Sequence, residues 1–186
     1  MATGLPLTMA VAVLAALLPV QGWAQRAAVV APPAVAPPAA DSAWDQANAP
    51  ILPDAELTPG ATLPVTADDI CAPGYSRKVR DVPAEVKRGV YASYSVATHV
   101  PGEYEVDHLI SLELGGSNAV RNLWPESYLT SPWNAHVKDA LENRLHRAVC
   151  DGVLDLAIAQ HDIAKDWIVA YKKYFHRNLP LPRRTH

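Results

Sequence analysis

The 186-residue chain contains one Phe and two Met, so its large apolar side chains must come mainly from five Trp and seven Tyr. It has only two cysteines and no CxxC pair, which excludes a zinc knuckle. It also lacks a charge excess of either sign. The formal net charge of −3 argues against a strongly basic binder of polyanions. Such imbalance as exists is positional: Asp41, Asp45, Asp54, Glu56, Asp68 and Asp69 all precede residue 70. From Tyr75 onward, 15 Lys and Arg face 13 Asp and Glu, a net of +2. No internal repeat is present, and no apolar run reaches the ~20 residues of a comfortable membrane-spanning helix.

What stands at the N-terminus is a targeting pattern. Residues 5–20 (LPLTMAVAVLAALLPV) are apolar and uncharged, and Gly22-Trp23-Ala24 offers small residues at the cleavage positions. The region before Arg26 departs from the usual pattern in having no Lys or Arg. No Cys follows the apolar run, which argues against a lipid anchor there. Residues 1–24 are therefore expected to be a signal peptide, and the mature form to be exported, periplasmic or secreted, without a membrane segment. Export would put Cys71 and Cys150 in an oxidising compartment, where a disulfide between them is expected. It would close a loop of about 80 residues, stabilising by about 4 kcal/mol in the chain-entropy model. Two buried free thiols are the alternative.

Residues 25–50 (QRAAVVAPPAVAPPAADSAWDQANAP) are rich in Ala and Pro and have neither a helical nor a strand period, a composition that favours an extended linker. Pro53, Pro59 and Pro64 continue the pattern, so residues 25–65 read as a linker or surface-hugging arm and residues 66–186 as the folded domain. Thr66 can cap a helical turn ending at Cys71. Gly74 to Val82 reads as an extended basic segment carrying Arg77, Lys78 and Arg80. Pro83 suits a first helical position, and Val86, Val90 and Tyr94 mark the inner face of the helix that follows. Glu103 to Ile110 reads as a strand, Gly115-Gly116-Ser117-Asn118 as a turn, and Ala119 to Trp124 as a second strand or extended piece. Ser131-Pro132 opens a helix bearing Val137, Leu141, Leu145 and Ala148 on one face, with Gly152 ending it. A last helix is expected from about Asp155 to Phe175. The fold class is a small, mostly helical α+β domain.

Within this order, Asp107-His108 ends the first strand, Asn122 lies in the second segment, and His136 falls in the first turn of the following helix. The intervals from His108 to Asn122 and from Asn122 to His136 are 14 residues each. Val106-Asp107-His108, Leu114-Gly115-Gly116-Ser117, Asn122-Leu123 and Asn134-Ala135-His136-Val137-Lys138 together resemble the signature of the HNH endonucleases, and the wider stretch resembles exported bacterial HNH-like proteins. Two departures stand out. Ser111 stands where the family commonly has Pro, and the Asn122–His136 interval is longer than in compact members, taking in Trp124-Pro125-Glu126.

The resemblance implies a ββα-metal finger and a metal-dependent endonuclease with little sequence specificity, acting on DNA or RNA. In it His108 would be the general base, with an imidazole that titrates near neutrality. Asn122 would brace the loop that aims the base. Asp107 and His136 would hold one divalent ion, Mg²⁺ or Mn²⁺ foremost and Zn²⁺ or Ni²⁺ as alternatives. Arg77, Lys78, Arg80 and Arg121 are candidate phosphate contacts or, equally, a solvated basic face. Trp124, Trp133 and Trp167 read as core. The rival reading is an exported binding or structural module that keeps the fold without turnover. The intact Asp-His pair favours the enzyme, whereas the near-neutral charge and longer spacing favour the module.

Overall fold

The computed structural model describes Met1, residues 52–96 and residues 98–182. The chain divides into two units, Met1–Val35, of which only Met1 is described, and Ala36–His186, which carries everything below. The expected signal peptide and the linker as far as residue 51 lie outside the described residues.

Residues 54–65, the end of the expected linker or surface-hugging arm over 25–65, are tied to the domain ahead of Thr66. Thr58 is buried, and its hydroxyl donates to the Leu123 carbonyl and meets the Tyr94 hydroxyl at 2.7 Å. Gly60 N–H donates to Arg121 O and Leu63 N–H to Gly115 O. Proline-rich chain forms no ladder of its own, so its backbone groups find partners on the loops it crosses.

Helix α1 (Ala67–Cys71) starts at Thr66, whose hydroxyl accepts from Asp69 N–H while the Asp69 carboxylate accepts from Thr66 N–H, a reciprocal capping box. The basic segment expected to be extended is instead helix α2 (Tyr75–Val79). Gly74, at φ +77°, turns the chain after Pro73 and lets its carbonyl accept from Lys78 N–H. Helix α3 (Ala84–Ser93) follows Pro83 and buries Val90, with Tyr94 just beyond its end.

Strands β1 (Tyr104–His108) and β2 (Leu123–Ser127) pair antiparallel, with Glu105 opposite Glu126 and Asp107 opposite Trp124. The second strand thus begins later than its sequence suggests. Val120–Asn122 closes a 3-10 turn, in which Asn122 N–H donates to Ala119 O, before the chain extends. Pro125 is tolerated because each strand of a two-stranded sheet keeps one unpaired edge.

Helix α4 (Ala135–Cys150) is capped by Asn134, three residues after the expected Ser131 cap, and its Oδ1 accepts from Val137 N–H. The single helix expected from Asp155 to Phe175 is two helices, α5 (Leu156–Lys165) and α6 (Trp167–Phe175). They divide at Asp166, whose extended backbone ends one and whose carboxylate caps the other through Ile168 N–H and Val169 N–H, both at 2.9 Å. Ile163, Trp167 and Tyr171 all remain buried, so the apolar period runs across the break.

Two apolar clusters result. The larger gathers Ile70, Leu114, Trp133, Leu141, Leu145, Ile163, Trp167 and Tyr171, and the smaller gathers Val90, Tyr94, Leu109, Leu123 and Trp124. Trp124, Trp133 and Trp167 are core residues. Cys71 and Cys150 form a disulfide with Cα atoms 5.7 Å apart, joining the ends of α1 and α4. The molecule is thus a small, mostly helical α+β domain with one antiparallel hairpin.

Candidate functional site

The hairpin, the turns beside it and α4 bring most of the residues singled out in the sequence into one region, but with different partners from those expected. His108, at the end of β1, is 2% exposed. Its Nε2 lies 3.0 Å from Asn118 Oδ1, while Asn118 Nδ2 donates to the Val79 carbonyl. That second bond fixes the amide so that oxygen faces the imidazole, and Nε2 must therefore carry the proton. Burial pushes the His108 pKa down, opposed by the Asn118 bond and the Asp107 carboxylate, with Arg80 adding repulsion. At neutral pH this ring is a neutral donor to a loop amide.

Asn122 is fully buried. Its Oδ1 accepts from Ile110 N–H, and its Nδ2 donates to the Ile110 and Ser117 carbonyls, all at 2.9 Å. It pins the loop between the hairpin strands. His136 is exposed in the first turn of α4, with its ring 4.9 Å from that of Tyr128. Arg77, Lys78 and Arg80 are exposed on and just after α2, and Arg121 is exposed in the turn before β2.

The centre of the region is Lys138, which the sequence pattern included without assigning it a role. Its side chain is about 1% exposed, and Nζ donates to Asp107 Oδ2 at 2.5 Å, to the His108 carbonyl at 2.7 Å and to Glu142 Oε1. An ammonium has three protons, and all three are used. Burial opposes the charged form, yet the carboxylates of Asp107, Glu142 and Glu126 hold the Lys138 pKa well above its ordinary value. For Asp107 burial works against ionisation too, but Lys138 outweighs it and the pKa is lowered. Glu142 has only a share of the ammonium, and burial pushes its pKa up to about 8.

Glu126 is the odd member. It is 2% exposed, and neither carboxylate oxygen meets a hydrogen-bond donor among the described residues. What faces it is the Asp107 carboxyl, and burial followed by that repulsion outweighs the pull of Lys138 to hold its pKa well above the usual range. Since ionised Asp107 has no proton to offer, Glu126 must bring its own. Glu105, directly across the ladder, is raised by burial and by Asp107, with a hydrogen bond from Tyr128 opposing.

These contacts correct the metal assignment. Among the described residues, two groups of three donors converge, Glu105–Asp107–Glu126 and Cys71–His146–Cys150, and neither includes His108 or His136. In the second group the cysteines are spent in the disulfide. His146 Nε2 lies 3.2 Å from the Ile70 carbonyl and 3.4 Å from Cys150 Sγ, so no thiolate is left to bind an ion. In the first, Lys138 already holds one carboxylate oxygen of Asp107, a residue expected to ligate. A divalent ion there would face a buried ammonium at close range. The expected pairing of Asp107 with His136 around Mg²⁺, Mn²⁺, Zn²⁺ or Ni²⁺ is therefore withdrawn, and the metal-dependent nuclease with it. No family model matches this chain, and comparisons with curated proteins and with solved structures return no match either, so the HNH resemblance is not sustained.

The missed residues did carry a signal. Lys138 shares the buried stripe of α4 with Leu141, Leu145 and Val149, at intervals of three and four, and a lysine on that face demands a partner. Glu105 and Asp107 lie two apart on a strand and so share a face. Glu126 sits in the interval that separates this chain from compact HNH members.

Proposed function

We propose that the mature protein is an exported, disulfide-braced module that binds or supports a partner without catalysing a reaction. Its hairpin and α4 make a strand–strand–helix unit whose centre is closed by an ammonium. The observation that carries the reading is the triply bonded Lys138: the groups required for hydrolysis are committed to holding α4 against β1. His108, the base that the resemblance named, is buried and bonded to Asn118 through Nε2. The Cys71–Cys150 bond supports export, because such bonds persist chiefly in oxidising compartments. Among the described residues no helix is long and apolar enough to cross a membrane.

The test is direct. Purified full-length protein, incubated with plasmid and with RNA under Mg²⁺, Mn²⁺, Zn²⁺ or Ni²⁺, should cleave neither substrate above a chelator control. Divalent-dependent cleavage that vanishes in Asp107→Ala, with the fold retained, would overturn the reading.

A further inference from the structure

The charged cluster is not balanced. Five carboxyl groups (Glu105 and Asp107 on β1, Glu126 on β2, Asp139 and Glu142 on α4) surround the single ammonium of Lys138. Carboxylate oxygens of Glu105, Asp107 and Glu126 lie within 4.8 Å of one another, and Glu105 and Glu126 are direct cross-strand partners. Like charges placed so cost stability unless a proton or a cation separates them. An acidic cluster alone would say no more than that. The second observation is Glu126, almost wholly buried, aimed at the other two carboxyls and met by no donor. The proton it carries can reach Asp107 through one oxygen, but the other oxygen stays buried without a donor, and that is costly.

We propose that the part-exposed Glu105–Asp107 edge of this cluster is a docking site for an arginine side chain of a protein partner. This rests on the binding-module reading and deepens it by naming the ligand chemistry. Lys138 shows that these carboxylates take a nitrogen cation, and it fills the inner side of Asp107, leaving the Glu105 side part-exposed. A compact dication would be repelled by that ammonium. A guanidinium spreads one charge over a planar fork of five donors, which can bridge two carboxyls at this spacing. Tyr128, beside Glu105 and against His136, offers a ring for such a plane to stack on. The pKa values of Glu105, Glu126 and Asp139 are raised, each first by burial, as expected of carboxyl groups that share one ammonium.

The probes are N-acetyl-arginine amide and N-acetyl-lysine amide, titrated into the full chain by calorimetry and followed by backbone NMR. The arginine probe should bind saturably, shift resonances of residues 104–108 and 124–128, and bind about tenfold more weakly to Glu105→Gln, in line with the loss of one charge-assisted contact. Glu105 is part-exposed, so the variant should melt within a few degrees of the parent, and Tyr128→Leu, which removes the ring, is a second variant that should also weaken arginine binding. Absence of saturable binding, equal binding by Glu105→Gln, or preference for the lysine probe or Mg²⁺ at these resonances would overturn the proposal. A module that neither cleaves nucleic acid nor binds the probe would sink this inference alone. Cleavage would sink the reading beneath it.

Discussion

Helix α4 meets the rest of the domain on two fronts of opposite character. Toward α1 and α6 it presents Leu141, Leu145 and Val149 to Ile70, Trp167 and Tyr171, and Cys150 at its end is bonded to Cys71. Toward the hairpin it presents Lys138 to Asp107 and to the His108 carbonyl. The apolar front tolerates rearrangement because its contacts are non-directional and the disulfide limits how far the chain can separate. The charged front does not. Each of its three bonds fixes a geometry, and removing one partner strands the others out of water. Stability on one side and specificity of position on the other are thus divided between faces of one helix.

The largest expected effect comes from breaking the charged front. Lys138→Met keeps volume but leaves ionised Asp107 without its cation and Glu142, mostly protonated at neutral pH, without its donor, and such losses cost about 3–5 kcal/mol. Urea unfolding at neutral pH should show it. The comparison sharpens with Lys138→Met, Asp107→Asn and Glu142→Gln combined, which removes the stranded Asp107 charge and keeps a neutral amide at position 142, and should recover much of the loss. If the single variant lost less than about 1 kcal/mol, the ammonium would not be the keystone of that joint.

Cutting the covalent brace should cost somewhat less. Cys71→Ser with Cys150→Ser should lower stability by about 2–4 kcal/mol, the usual range for a long closed loop. Secondary structure by circular dichroism should be unchanged, because the apolar contacts of α1 and α4 persist. Reduction of the parent protein should reproduce the shift.

Much of the apolar front was legible in the sequence. Val90 and Tyr94, Leu141 and Leu145, and Ile163, Trp167 and Tyr171 are buried as their periods suggest, whereas Val86 and Val137 are only part-buried and the α4 stripe continues through Val149, not the expected Ala148. Boundaries were less legible where a side chain, not the period, decides them. Asp166 breaks a helix without interrupting its stripe, and Asn134 outcompetes Ser131 as a cap. The Cys71–Cys150 pairing was readable because only two cysteines exist. The charged front was misread for a different reason. Asp107, His108, Asn122 and His136 form a familiar order, but order along the chain does not say which group reaches Asp107. The reach of Lys138 from the second turn of α4 decided that, and His136 points to Tyr128 instead.

The smallest predicted effect separates the fronts by pH, since the buried carboxyl cluster lies on only one of them. The groups facing Lys138 are Glu105, Asp107 and His108 on β1, Glu126 on β2, and Asp139 and Glu142 on α4. Glu142 has a folded pKa of about 8, raised from an ordinary 4.5 chiefly by burial, so between those values the folded state holds more protons than the unfolded chain. Stability then falls as pH rises through that window, and Glu126, also raised, acts in the same direction. His108 acts oppositely. Its pKa is lowered from 6.5 by burial, so its contribution grows with pH until 6.5 and is constant above. Asp107, lowered from 3.8 because Lys138 overcomes burial, stabilises above its unfolded value and loses that only in strong acid. The opposing slopes overlap below pH 6.5, which leaves pH 6.5–8 as the interval of net decline, worth about 1–2 kcal/mol. Urea midpoints measured at half-unit steps should show that decline, and Glu142→Gln should flatten it while leaving the reduction shift of the disulfide untouched. A slope that survives Glu142→Gln would place the proton elsewhere in the cluster, with Glu126→Gln as the next variant to flatten it. A profile flat in the parent would mean the carboxyls are solvated, and the contrast between the two faces of α4 would fail.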